Sequence, residues 1–113
     1  MAKSKNNNST SDNYIVEGSE IKGNIKAVSN IRIDGMLEGN VNTARKLILG
    51  NTGFLKGDVI CQNALIEGII EGSLTVADKL ELRSGSKING NIVSSKLILE
   101  ENCHISGSMK LKK

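Results

Sequence analysis

The sequence predicts an all-β fold: a single domain wound as a right-handed β-helix, a three-sided β-solenoid of about six coils, with disordered termini. Three observations carry this expectation. A phrase of aliphatic, any residue, glycine, any residue, aliphatic returns six times in 113 residues. Aliphatic side chains fall at even offsets from each of those glycines, the period-two mark of a strand with one buried face. Tyr14 and Phe54 are the only aromatic residues and proline is absent, so packing volume must come from rows of Ile, Leu and Val stacked in a column.

In chain order, residues 1–13 carry no apolar side chain beyond Met1 and Ala2 and read as a disordered polar tail. The solenoid is expected over residues 14–109, opening at Tyr14-Ile15-Val16, and residues 110–113 form a short basic stub. Its phrases are Ile21-Lys22-Gly23-Asn24-Ile25, Leu37-Glu38-Gly39-Asn40-Val41, Leu55-Lys56-Gly57-Asp58-Val59, Ile70-Glu71-Gly72-Ser73-Leu74, Ile88-Asn89-Gly90-Asn91-Ile92 and Ile105-Ser106-Gly107-Ser108-Met109. The glycines step by 16, 18, 15, 18 and 17 residues, so one unit is copied with small length changes. Every residue two before or two after a repeat glycine is bulky and apolar. Four after come Ala27, Thr43, Cys61, Val76, Ser94 and Leu111; eight before come Ile15, Ile31, Leu49, Ala64, Leu82 and Leu99.

These columns imply one inward face on a strand running through each repeat glycine, with Lys22, Asn24, Glu38, Asn40, Lys56 and Asp58 turned to water. A helix cannot place offsets of minus two, plus two and plus four on one face. Gly18, Gly35, Gly53, Gly68 and Gly85 stand four or five residues ahead of repeat glycines, where a corner needs a positive φ or a tight bend. A unit of about seventeen residues holds three short strands and their bends, one full coil. The uneven steps break the hexapeptide rhythm of left-handed coils and favour the right-handed form.

Charge narrows function. The net charge of +3 comes from the ends, since residues 14–109 hold ten Lys or Arg against eleven Asp or Glu. No basic face interleaved with aromatics is present, which argues against nucleic acid as a partner. No stretch is long and apolar enough for a membrane span or a signal peptide, so the cytoplasm is the expected compartment. Cys61 and Cys103 occupy small interior positions three coils apart, roughly 14 Å at about 4.8 Å per coil, beyond disulfide reach. His104 points away from Cys103, as neighbours on a strand do, so the pair shares neither a metal nor a nucleophile's geometry. Glu67, Glu71, Glu100 and Glu101 lack the long loops that would build a catalytic cleft, and there is no phosphate-binding glycine loop. No cofactor, metal or catalytic residue is expected.

A stack of coils has two ends, and nothing in the sequence looks like a cap for either. The expected interface residues are Tyr14, Ile15, Val16, Ile21 and Ile25 at the N-terminal end, and Leu97, Leu99, Cys103, Ile105, Met109 and Leu111 at the C-terminal end. The partner is then the chain itself. Alternatives are a monomeric β-solenoid binding module, or a hexapeptide-type acyltransferase subunit that would want a regular sixfold repeat and a histidine in a cleft.

The six phrases, with Leu47-Ile48-Leu49-Gly50 and Lys96-Leu97-Ile98-Leu99-Glu100, resemble the bactofilins over roughly residues 14–109. The resemblance implies a bacterial cytoskeletal protein that polymerises end to end without nucleotide, as a scaffold for cell shape or for positioning cell-wall enzymes. It also implies a filament without polarity, and a subunit joint at the position of Ile105, where the family often carries phenylalanine. Members often reach the inner face of the cell membrane through a short N-terminal segment, a pattern that this polar tail matches poorly.

Overall fold

The computed structural model describes residues 13–112, and all of their regular secondary structure is β-strand. The expected tail of residues 1–13 therefore lies outside the described residues except for Asn13, which opens the first strand, Asn13–Ile15. Chain direction is preserved throughout, because every strand pair is parallel.

Three faces repeat six times. The first face carries Asn13–Ile15, Ile31–Ile33, Lys46–Leu49, Asn63–Ile66 and the second halves of two long strands, Leu74–Leu82 and Ile92–Leu99. The second face carries Glu20–Lys22, Met36–Glu38, Phe54–Lys56, Ile69–Glu71, Lys87–Asn89 and His104–Ser106. On the third lie Ile25–Ala27, Val41–Thr43, Val59–Cys61, the first halves of the two long strands, and Met109–Leu111. Passing once through the three faces makes one coil, and the six are numbered 1 to 6 in chain order. The expected fold class is the one found, a single parallel solenoid of about six turns.

Side chains alternate, so each strand turns one side inward, with one inward residue on the second face and two on the first and third. On the second face the row is Ile21, Leu37, Leu55, Ile70, Ile88 and Ile105, in direct register from coil to coil. On the third it is Ile25, Val41, Val59, Leu74, Ile92 and Met109. Leu37, Leu55, Ile70 and Ile88 are fully buried, as are Ile31, Ile33, Leu47, Leu49, Ile66, Leu80 and Leu82 from the first face. Each such side chain contributes about 1.5–3 kcal/mol by leaving water. The two buried hydroxyl groups on the third face are satisfied locally: Thr43 Oγ1 donates to the carbonyl of Ser29, and Ser94 Oγ to that of Lys96.

Two details correct the sequence reading. The repeat glycine does not sit within a strand; it is the corner between the second and third faces, with strands ending before it and restarting two residues after it. A carbon side chain is impossible there for two reasons. At Gly57 the backbone has φ +143°, and a Cβ would overlap the carbonyl oxygen of Gly39 one coil below. The residue after the glycine completes the corner: the Asn24 side-chain oxygen accepts from the Asn40 N–H at 3.0 Å, and Asn40 in turn accepts from Asp58 N–H at 3.1 Å. Thus the Asn or Asp of the phrase binds the next coil's backbone.

The second correction concerns the row read eight residues before the glycine. The structural row is Ile15, Ile33, Leu49, Ile66, Leu82 and Leu99, while Ile31 and Ala64 belong to its neighbour with Leu47, Leu80 and Leu97. The cause is the corner between the first and second faces, which holds four residues in coils 1, 3, 5 and 6 but two in coils 2 and 4. A difference of two preserves inward parity, so the misplaced residues were still interior ones.

At one such corner a polar tie joins coils 1 and 2. Asp34 Oδ2 accepts from the Tyr14 hydroxyl at 2.8 Å and from Arg32 Nε at 3.1 Å, and its Oδ1 lies directly over Gly50. Burial pushes the Asp34 carboxyl up, but the hydrogen bonds from Tyr14 and Arg32 and the Arg32 charge outweigh it and hold the group below the ordinary carboxylate value.

Two predictions follow from these corners. Gly57→Ala should cost about 3 kcal/mol or more, since strain and overlap add. Gly18→Ala, where φ is +89° but no atom lies within 4 Å of a new Cβ, should cost about 1 kcal/mol; denaturation followed by circular dichroism compares the two. Because the Asp34 carboxyl is depressed in the folded chain, its stabilisation is complete at neutral pH and is lost as pH falls below about 4, through its folded value. Asp34→Asn should flatten that acid limb of the stability profile.

Candidate functional site

Each described end is an open sheet edge on all three faces. The strands of coil 1 pair only with coil 2, and those of coil 6 only with coil 5. Their outward N–H and C=O groups form a template for another strand. The inward rows continue to that edge, and there they lose their cover. Leu82 is 0% exposed but Leu99, next in its row, is 50%; Ile92 is 1% but Met109 is 37%; Leu111, at the end of the row holding buried Cys61 and Val76, is 58%. At the other end Leu37 is 0% exposed and Ile21 37%.

The structure distributes the expected interface residues as follows. Ile15 is buried, and Ile25 is half-buried against the core beside the more exposed Ile21. Tyr14 lies on the outer surface of the first face, exposed and held by Asp34, and Val16 is exposed at the following corner. Leu97, Leu99, Ile105, Met109 and Leu111 all belong to inward rows of coil 6, with Leu97 and Ile105 half-buried against the core. Cys103 occupies the corner instead, one residue before His104 and aligned with buried Ser86, its thiol donating to the carbonyls of Leu82 at 3.4 Å and Arg83 at 3.1 Å. Ala27 was not singled out from the sequence, yet it ends the third inward face of coil 1 and packs on the core. Its place in the small-residue column was the available signal.

Elsewhere the described residues offer little chemistry. Burial pushes the Cys61 thiol up to about 12, so it is a neutral core group. No group of three or more His, Cys, Asp or Glu could hold a metal, and no helix is long and apolar enough to cross a membrane, among the described residues. What the geometry presents is a pair of apolar, hydrogen-bonding ends.

Comparison with known proteins agrees with that geometry. No curated protein sequence matches the chain. Among solved structures, one from a cryo-EM reconstruction of Thermus thermophilus bactofilin double helical filaments superposes with a TM-score of 0.76 at 24% identity, covering 87% of this chain and 98% of that one. A family profile described as bactofilin, polymer-forming cytoskeletal, matches residues 13–110. The chain belongs to the bactofilin family of polymer-forming cytoskeletal proteins.

Proposed function

We propose that this chain polymerises by stacking its open coils end to end, without nucleotide, into cytoplasmic filaments that act as a scaffold for cell shape or for positioning cell-wall enzymes. The observation that carries the reading is the contrast within single rows: residues buried in coils 2 to 5 share rows with Ile21 of coil 1 and with Leu99, Met109 and Leu111 of coil 6, which are 37–58% exposed. Covering each of those half-exposed aliphatics contributes about 1 kcal/mol, and the same contact pairs three strand edges that are otherwise left to water. Rigid ends lose little conformational entropy on joining, because the coil is already folded.

Among inward-row residues, the C-terminal end leaves three large aliphatics exposed, Leu99, Met109 and Leu111, against Ile21 at the N-terminal end. It is the end at which a joint gains most. Two such ends meeting tail to tail would give an assembly without overall polarity, the arrangement in which each joint is self-complementary.

Ile105 is the test residue, half-buried at the edge of coil 6. Ile105→Arg should leave the β-sheet circular dichroism intact and abolish filaments in negative-stain electron microscopy; unchanged filaments would remove Ile105 from the joint. Deleting residues 1–12 should leave filament length unchanged in nucleotide-free buffer. A requirement for added nucleotide, or loss of filaments in that truncation, would overturn the stacking mechanism as stated.

A further inference from the structure

We infer that the outer surface of the third face, with the corner leading from it to the first face, is a docking surface for an anionic lipid membrane. The charges of the rod are divided by side. Lys26 and Lys110 stand at the two ends of the central outward column of the third face, in coils 1 and 6. The corner carries five more cations, Arg45, Lys46, Lys79, Lys96 and Lys112. Lys46, Lys79 and Lys96 share one column with Asn63, whose side-chain oxygen accepts from the Lys79 N–H at 3.3 Å. Among the described residues, two carboxylates share this side: Asp58, whose Oδ1 accepts from the Ser73 N–H, and the half-buried Asp78.

The other side has the opposite balance. Its five cations, Lys22, Arg32, Lys56, Arg83 and Lys87, stand among nine carboxylates. Arg32 and Arg83 are bound to Asp34 at 3.1 Å and to Glu100 at 3.0 Å. Five of the nine, Glu17, Asp34, Glu67, Glu100 and Glu101, cluster at the corner between the first and second faces. The rod is thus cationic on one flank and acidic on the other, an asymmetry that turns one side toward an anionic plane.

Between its cations the third face is regular and nearly free of charge. Its central column runs Lys26, Asn42, Ile60, Thr75, Val93 and Lys110 in unbroken register. Beside it, toward the corner, lie Val28, Ala44, Gln62 and Ala77, all exposed. Val28 is 81% exposed, and Ile60, at 52%, is the most exposed large aliphatic of coils 2 to 5. Aliphatics flanked by Lys and Arg suit a bilayer surface: the apolar groups enter the interfacial layer while the cations reach lipid phosphates. Seven cations lie within the range of roughly four to eight that anionic leaflets attract. A nucleic acid would be drawn by the same charge, but this side has no aromatic ring on which a base could stack. Because the face runs along the flank of the rod, it is open to single and stacked chains alike, and the inference does not depend on end-to-end joining.

Flotation of the full-length chain with lipid vesicles tests it. The chain should float with vesicles of phosphatidylglycerol and phosphatidylcholine at low salt. It should stay down with phosphatidylcholine alone, and with either at about 1 M salt, where the screening length falls to about 3 Å. Lys79→Glu combined with Lys96→Glu should lower the bound fraction about tenfold or more. Lys56→Glu combined with Lys87→Glu makes the same change of net charge on the second face and should leave flotation unchanged, with circular dichroism showing that both variants keep their β-sheet. Deleting residues 1–12 should also preserve it. Absence of flotation, equal loss in the two double variants, or loss on deleting residues 1–12 would overturn the docking face, as would binding of duplex DNA without flotation at the same salt. Electron microscopy of the same samples keeps the two readings apart: filaments that do not float would leave stacking without the face, and single chains that float would leave the face without stacking.

Discussion

Backbone approach at the repeat glycines is the constraint on which the rest of the structure depends. From coil to coil, each corner glycine lies so close to the one below that a Cβ would overlap its carbonyl. This fixes one corner of every coil directly above the last. With that corner fixed, the ±2 neighbours stack in straight rows, and the Asn or Asp that follows can hold the next amide. Regular register also makes the ends flat. A solenoid with drifting corners would have an irregular edge, and an irregular edge could not serve as a template for another.

Length variation is confined to the other two corners. The step from one repeat glycine to the next changes only through the corner between the first and second faces and the one between the third and first. Extra residues there bulge into solvent, as at Gly18 and Gly85, whose positions have open space around them. Gly35, Gly53 and Gly68 serve the opposite need: a Cβ at Gly53 would lie 2.6 Å from the carbonyl oxygen of Ile33.

Much of this was legible in the sequence. Period-two burial, the stacking rows beside each glycine and the number of coils all follow from residue spacing, because strand alternation and coil stacking are both periodic. The corner role of the repeat glycine was hidden by the same regularity: Ile21 and Ile25 both point inward although the chain turns between them. Likewise Ile31 and Ala64 fell into the wrong row because a two-residue change in a corner leaves parity intact. The tie of Tyr14 to Asp34 could not be read at all, since it joins residues twenty apart through a corner whose length was unknown. At the ends, the inward residues of coil 6 were legible as a list, but their differing exposure depends on which neighbours are missing.

Under the end-to-end stacking we propose, the middle coils set a rigid spacing and the terminal coils carry the bond. The most direct measurement is the axial rise of filaments formed by this chain, determined by cryo-EM. Six coils at about 4.8 Å, joined without a gap, place one chain per roughly 29 Å of each strand, with strand density continuing through the joint. A markedly shorter rise, meaning overlapped subunits, or a break in the coil spacing at the joint would contradict end-to-end stacking.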